Sequence, residues 1–189
     1  MTGASTRLDL RSASVLLVDD NHQSLEIMSQ ILVGLRVGKV EPCRSAAEAH
    51  EQMVARKFDL LIVDGEMPEE DGIAFARGVR QASGRPNYTT PIILVSSHTP
   101  LDKIARARDA GVSMVVKKPI APATLLSRIV WLARNSRQFV ESDLYVGPDR
   151  RSKRLPPPVE IGERRAEAIA MQATPERAMS QDDIDAIFG

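Results

Sequence analysis

Phe58-Asp-Leu-Leu-Ile-Val-Asp-Gly-Glu-Met-Pro-Glu-Glu-Asp-Gly72 decides the fold. Leu60 to Val63 is a short continuous apolar run, the signature of a strand buried on both faces. It ends on Asp64, and a loop with Pro68 and Gly72 follows. A carboxylate at the C-terminal end of a buried strand stands where open α/β sheets place their chemistry.

The same unit recurs on either side. Val15-Leu-Leu-Val18 ends on Asp19-Asp20, and Leu25, Met28, Leu32 and Leu35 then follow at helical spacing. Val37 to Cys43 reads as a second strand. Ser45 with Glu48 three residues on is a capping-box pattern. Ile73 to Ala82 is helical and closed by Ser83-Gly84. Ile92-Ile-Leu-Val95 is a fourth strand, ending in Ser96-Ser97. Pro100 opens a helix that stops at Gly111. Met114 to Val116 is a fifth strand before Lys117-Lys118-Pro119, and a helix runs from about Pro122 to Asn135. Strand-helix repeats with doubly buried strands and right-handed crossovers give an α/β, doubly wound, five-stranded parallel sheet.

Composition narrows the class. The 189 residues allow one ordinary domain plus an extension. Charge balances to zero, so no overall field attracts nucleic acid. The lone Cys43 excludes an internal disulfide and suits a reducing compartment, with small apolar filler as its role. No apolar run is long enough to span a membrane. The expected setting is soluble and cytoplasmic. Residues 1–13 read as a disordered start, 14–135 as the domain, 136–179 as an arginine- and proline-rich linker without its own core, and 180–189 as a short amphipathic helix.

Asp19, Asp20, Asp64, Ser96 and Lys118 all fall at strand ends on one edge of this sheet. Three carboxylates together raise one another's pKa unless a cation joins them. Mg²⁺ takes such oxygens and usually a phosphate oxygen as well. A lysine and a hydroxyl could hold the remaining oxygens of a phosphoryl group, and an aspartate can accept one covalently.

With Asp19-Asp20, Asp64 in Asp-x-x-Met-Pro-x-x-Asp-Gly, Ser96 and Lys118-Pro119, residues 14–135 resemble a response-regulator receiver domain. The resemblance implies Asp64 as phosphoacceptor, and Asp19, Asp20, Asp64 and the Glu66 backbone carbonyl around Mg²⁺. It implies Ser96 and Lys118 as phosphoryl contacts and a histidine kinase or phosphotransfer protein as donor. Its only chemistry would be phosphoryl uptake and loss, so it is expected not to be an enzyme. The family usually has an aromatic residue three positions before the lysine. Here Val115 stands there, which leaves no ring to couple pocket and surface.

Beyond residue 140, Pro148 to Arg165 holds six basic residues against three acidic ones. Two echoes, Val146-Gly-Pro-Asp-Arg-Arg151 and Glu160-Ile-Gly-Glu-Arg-Arg165, each place a carboxylate before paired arginines. Arginine forks the O6/N7 edge of guanine, a carboxylate accepts from its other edge, and guanidinium also pairs with phosphate. Two such units suit two guanines and two phosphates. A receiver followed by Tyr-Val-Gly-Pro-Asp-Arg-Arg is similar to the CheY-like Cle regulators, in which an arginine-rich extension binds cyclic di-GMP and steers the flagellar motor. The resemblance implies a binding set of Tyr145, Gly147, Pro148, Asp149, Arg150, Arg151 and Arg154, with Gly162, Glu163, Arg164 and Arg165 from the second unit. The segment is expected to fold only around its ligand.

Ser180-Gln-Asp-Asp-Ile-Asp-Ala-Ile-Phe188 pairs a capping serine with an apolar stripe of Ile184, Ile187 and Phe188. It resembles the N-terminal peptide of the flagellar switch protein FliM, which implies docking on the fourth-helix, fifth-strand, fifth-helix face of a receiver. That receiver is either this one, its output face then masked, or another. A frayed tail capping its own core is the plainer reading. Two rivals to the cyclic di-GMP reading remain open: a phosphate-only relay or sink with an inert spacer, and a nucleic-acid-binding regulator using the basic tail. No helix-turn-helix pattern supports the latter.

Overall fold

The computed structural model describes residues 9–135, 137–142, 145–149 and 179–188. Five strands, β1 (Ser14–Val18), β2 (Lys39–Cys43), β3 (Leu60–Asp64), β4 (Ile92–Ser96) and β5 (Met114–Lys117), form one sheet in the order β2-β1-β3-β4-β5. Every pairing is parallel. The connecting helices are α1 (His22–Gly34), α2 (Ala46–Ala55), α3 (Gly72–Gln81) and α4 (Leu101–Asp109), and α5 (Pro122–Arg134) follows β5.

Alternate strand residues feed two cores. Leu16, Val18, Leu61, Val63, Leu94 and Val115 face the cluster that includes Met53, Phe75 and Ile104 of α2 to α4. Val15, Leu17, Ile62, Ile93, Val95 and Val116 face the cluster that includes Leu25, Leu32, Leu125 and Ile129 of α1 and α5. Strand order reverses between β1 and β3, so their C-terminal ends open a crevice. Local chemistry fixes the helix starts at this edge. Asn21 Oδ1 accepts from Gln23 N and Ser24 N, and Asp71 Oδ1 accepts from Ala74 N at 2.7 Å. The Ser45 cap holds as expected, with Glu48 N donating to Ser45 Oγ at 3.1 Å.

Three additions extend this body. Residues 9–13, expected as disordered start, belong to it: Gly38 N donates to Leu10 O at 2.9 Å and Leu10 packs on the second core. Part of the expected coreless linker is an antiparallel hairpin of β6 (Phe139–Ser142) and β7 (Tyr145–Pro148), with Val140 opposite Gly147. It packs β7 on α3. The reason is tertiary. Gly111 and Gly147 meet so closely that a Cβ on Gly147 would lie 2.8 Å from Gly111 Cα. The last addition is α6 (Gln181–Phe188), whose Ile184 and Phe188 are buried in the first core. Among the described residues, no helix is long and apolar enough to cross a membrane.

Candidate functional site

The carboxylates expected at the crevice meet there. One oxygen from each of Asp19, Asp20 and Asp64 lies within 4.8 Å of the others. Asp19 and Asp64 are buried and Asp20 is exposed. β1 and β3 deliver them in register, Val18 opposite Val63. Gly72 lets the following loop fold tightly over β3, since a Cβ there would lie 2.2 Å from Asp64 O.

Lys118, just beyond β5, reaches across the sheet edge. Its Nζ lies 2.7 Å from Asp64 Oδ1 and 3.1 Å from Asp19 Oδ2. Burial disfavours the lysine charge, but the two carboxylates outweigh it and raise the pKa above the ordinary value. The contact with Asp64 Oδ1 is an ion pair off the direction of a regular hydrogen bond, so that buried oxygen keeps acceptor capacity. A buried, incompletely satisfied carboxylate beside two further acids fits a hard divalent cation such as Mg²⁺. Glu66 N donates to Asp64 Oδ2 at 3.1 Å, which sets the Glu66 backbone beside the same group.

Ser96 ends β4 next to Val95, the residue opposite Asp64. Its hydroxyl lies 2.7 Å from His98 O, 3.1 Å from Glu66 Oε1 and 3.0 Å from Lys103 Nζ. Glu66 Oε2 also accepts from Ser97 Oγ at 2.5 Å and Oε1 from Lys103 at 2.9 Å. Burial alone would raise the Glu66 carboxyl, but the Ser97, Lys103 and Ser96 hydrogen bonds and the Lys103 charge bring it down to about 2. Sequence reasoning missed Ser97 and Lys103. Lys103 sits near the start of α4, and nothing in its sequence context marks it.

The response regulator receiver domain model matches residues 15–130. The chain belongs to that family. The relatives agree in kind. The signal transduction histidine-protein kinase BarA of Escherichia coli is 33% identical over 107 residues, which is 57% of this chain and 11% of the kinase. The transcriptional regulatory protein BasR of E. coli is 31% identical over 135 residues, 70% of this chain and 58% of that protein. The chain therefore spans a minor part of the kinases and just over half of BasR. Among solved structures, the Vibrio cholerae chemotaxis protein CheY4 matches with TM-score 0.59 and 30% identity, covering 62% of this chain and 96% of that one. A response regulator from Chloroflexus aurantiacus matches with TM-score 0.60 and 26% identity, over 65% and 98%.

The additions to the receiver fall in two groups. Of the arginine-rich set, Tyr145, Gly147, Pro148 and Asp149 are described, while Arg150, Arg151, Arg154, Gly162, Glu163, Arg164 and Arg165 lie outside the described residues. Tyr145 Oη donates to Pro148 O at 2.7 Å, inside the hairpin. Gly147 lies against Gly111 of the receiver, close enough that a Cβ there would be 2.8 Å from Gly111 Cα.

α6 lies on its own receiver, against β5. Ser180 caps it: Asp183 Oδ2 accepts from Ser180 Oγ at 2.5 Å and Asp183 N donates to Ser180 Oγ at 3.3 Å. Ile184 and Phe188 are buried with Ile104, Ala107 and Val115, and Ile187 packs beside them. Burying each of the first two contributes about 2 kcal/mol. Gln181, not singled out in the sequence, fastens the helix to the free edge of the sheet. Its Oε1 accepts from Lys117 N at 2.7 Å and its Nε2 donates to Val115 O at 3.0 Å. Asp185 pairs with Arg128 of α5. Burial raises the Asp185 pKa above the ordinary value in spite of the Gln181 hydrogen bond and the Arg128 charge. The signal for Gln181 was its place one turn before Ile184 on the apolar face.

Proposed function

We propose that this chain is a cytoplasmic receiver whose Asp64 takes a phosphoryl group from a histidine kinase or phosphotransfer protein. The observation that carries the reading is Lys118 Nζ between Asp64 and Asp19, with Asp20 beside them. A carboxylate oxygen of Asp64 attacks the phosphorus of a phosphohistidine. The P–N bond breaks, an acyl phosphate P–O bond forms, and the donor imidazole recovers a proton. Lys118 meets the charge on the transferred oxygens, and Ser96 offers a hydroxyl to another. Mg²⁺ held by Asp19, Asp20, Asp64 and the Glu66 carbonyl would supply charge neutralisation there. The only chemistry is this uptake and the later loss of the phosphoryl group to water, which restores the Asp64 carboxylate and releases inorganic phosphate. Labelled acetyl phosphate tests it: wild type should incorporate label in Mg²⁺, and label retained by Asp64→Asn would refute the assignment.

The tail adds a second input. In our reading, cyclic di-GMP binds the paired Arg-Arg units of residues 149–165, and the output is flagellar motor or attachment behaviour. Paired acid-Arg-Arg units with guanine-matched chemistry support it. Tyr145 and Gly147 help hold the hairpin that carries Pro148 and Asp149, and the proposed ligand set continues from these residues into the arginines that follow. α6 presents a FliM-like stripe suited to a receiver surface, with the flagellar switch as the system concerned. Calorimetry with cyclic di-GMP on the full chain and on Arg151→Ala tests the ligand. Equal heats from both would remove Arg151, and no heat from wild type would return the chain to a phosphate-only relay.

A further inference from the structure

Besides its buried apolar face and the Asp185–Arg128 pair, the terminal helix is fastened to the receiver at two points that each adjoin a group of the Asp64 pocket. At the first, Met179 N donates to Thr99 O at 3.0 Å, and Thr99 Oγ1 donates to Met179 O at 3.2 Å. Thr99 closes the short loop that starts at Ser96, whose hydroxyl is 2.7 Å from His98 O. At the second, Gln181 grips Val115 O and Lys117 N. The next residue is Lys118, the cation held by Asp64 and Asp19.

We propose that docking of α6 and occupation of Asp64 by a phosphoryl group oppose one another through these two fastenings. The helix, rather than a ring at position 115, is then this chain's readout of its pocket. This rests on the receiver reading of Asp64. A phosphoryl group brings charged acceptors to which Ser96 and Lys118 turn. The single hydroxyl hydrogen of Ser96 is already divided between His98 O at 2.7 Å and Glu66 Oε1 at 3.1 Å, so a phosphoryl oxygen that takes it removes a tie from the loop presenting Thr99. Lys118 follows the phosphoryl group and shifts the end of β5 that Gln181 holds. Both fastenings fit the arrangement in which Lys118 bridges Asp64 and Asp19. An eight-residue helix does not persist alone, so a loosened α6 melts. Coupling of this kind is reciprocal: an absent helix makes the pocket easier to fill.

Beryllofluoride with Mg²⁺, a phosphoryl mimic, tests this on the full chain. Fluorine NMR reports filling of the pocket, and hydrogen exchange by mass spectrometry reports residues 181–188. At saturation, exchange there should rise by roughly tenfold. Gln181→Ala, which leaves the apolar face intact, and Phe188→Ala should each tighten beryllofluoride binding by about fivefold or more. A filled pocket with unchanged or slowed exchange overturns the proposal, as do variants that bind the mimic no more tightly than wild type. Failure of wild type to show any bound fluorine signal overturns the reading of Asp64 as phosphoryl acceptor, and the coupling with it.

Discussion

Arg80 and Phe139 stack across the seam between the receiver and its hairpin, with the guanidinium carbon 5.5 Å from the ring centre. Arg80 is among the most buried side chains of the molecule, yet it is charged. Its donors are spent on Gly111 O at 3.0 Å, Tyr88 O at 2.7 Å and Thr90 O at 2.8 Å. Burial brings its pKa down to about 10, which still leaves it protonated at neutral pH. The residue ties α3 to the loops before β4 and β5, and Phe139 lies over it.

Replacing Arg80 by Met roughly keeps the volume and strands three carbonyls, those of Gly111 and Thr90 buried and that of Tyr88 partly so. We expect a loss of about 3 kcal/mol or more in urea unfolding. Phe139→Ala removes the lid and leaves the three hydrogen bonds. It should cost less in global stability while raising hydrogen exchange in residues 139–148. Equal global losses from both variants would show that the hairpin, not Arg80, dominates this seam.

Val115 occupies the position of the family's aromatic residue and is buried in the same apolar cluster as Ile184 and Phe188. Val115 is 1% exposed, so a ring in its place would press on these neighbours while α6 is docked. Val115→Tyr should therefore cost about 1–3 kcal/mol through overpacking, with the loss taken up by release of α6. Protease cleavage between residues 179 and 188 should accelerate in this variant and not in Val115→Ile. Unchanged cleavage would mean that the ring finds room elsewhere.

The pocket and the terminal stripe show how far sequence carries. Strands β1, β3, β4 and β5 announce themselves as continuous apolar runs, and the residues that follow those runs are the pocket. The hairpin is silent in the sequence because Phe139-Val-Glu-Ser and Tyr-Val-Gly-Pro are short and only half buried. Its stability comes from Arg80, Tyr88 and Gly111, far away in the chain. The stripe of α6 was legible, and so was its docking face of fourth helix, fifth strand and fifth helix, with this receiver or another left open. In the fold it sits on its own receiver, where a polar Gln181 satisfies β5 backbone groups on the free edge of the sheet. Glu66 was assigned for its backbone carbonyl, whereas its carboxylate gathers Ser96, Ser97 and Lys103.

The Glu66 carboxylate makes stability depend on pH in acid. Its folded pKa, about 2, lies below the ordinary 4.5. The contribution is thus complete above pH 4.5 and lost as pH falls through about 2. Thermal unfolding of wild type should drop across that window, and Glu66→Gln should flatten part of the slope. Lys118 has the opposite sign. Its pKa is raised, so its contribution is complete up to the ordinary lysine value and is lost only in stronger alkali. A Glu66→Gln profile parallel to wild type from pH 4.5 to 2 would show that the network with Lys103 does not hold in solution.

Cys43 ends β2 fully buried, and burial first, then Glu48 and Glu41, push its thiol up to about 12 from 9.0. Only the thiolate attacks a disulfide reagent. In the native protein at pH 8, reaction with an aromatic disulfide should be slower than in the unfolded chain by a thousandfold or so, from the pKa difference together with burial. The residual rate then follows opening of the structure, and destabilising variants such as Arg80→Met should raise it in step with their unfolding equilibrium. A native rate near the unfolded one would mean that β2 opens locally, independent of the rest of the sheet.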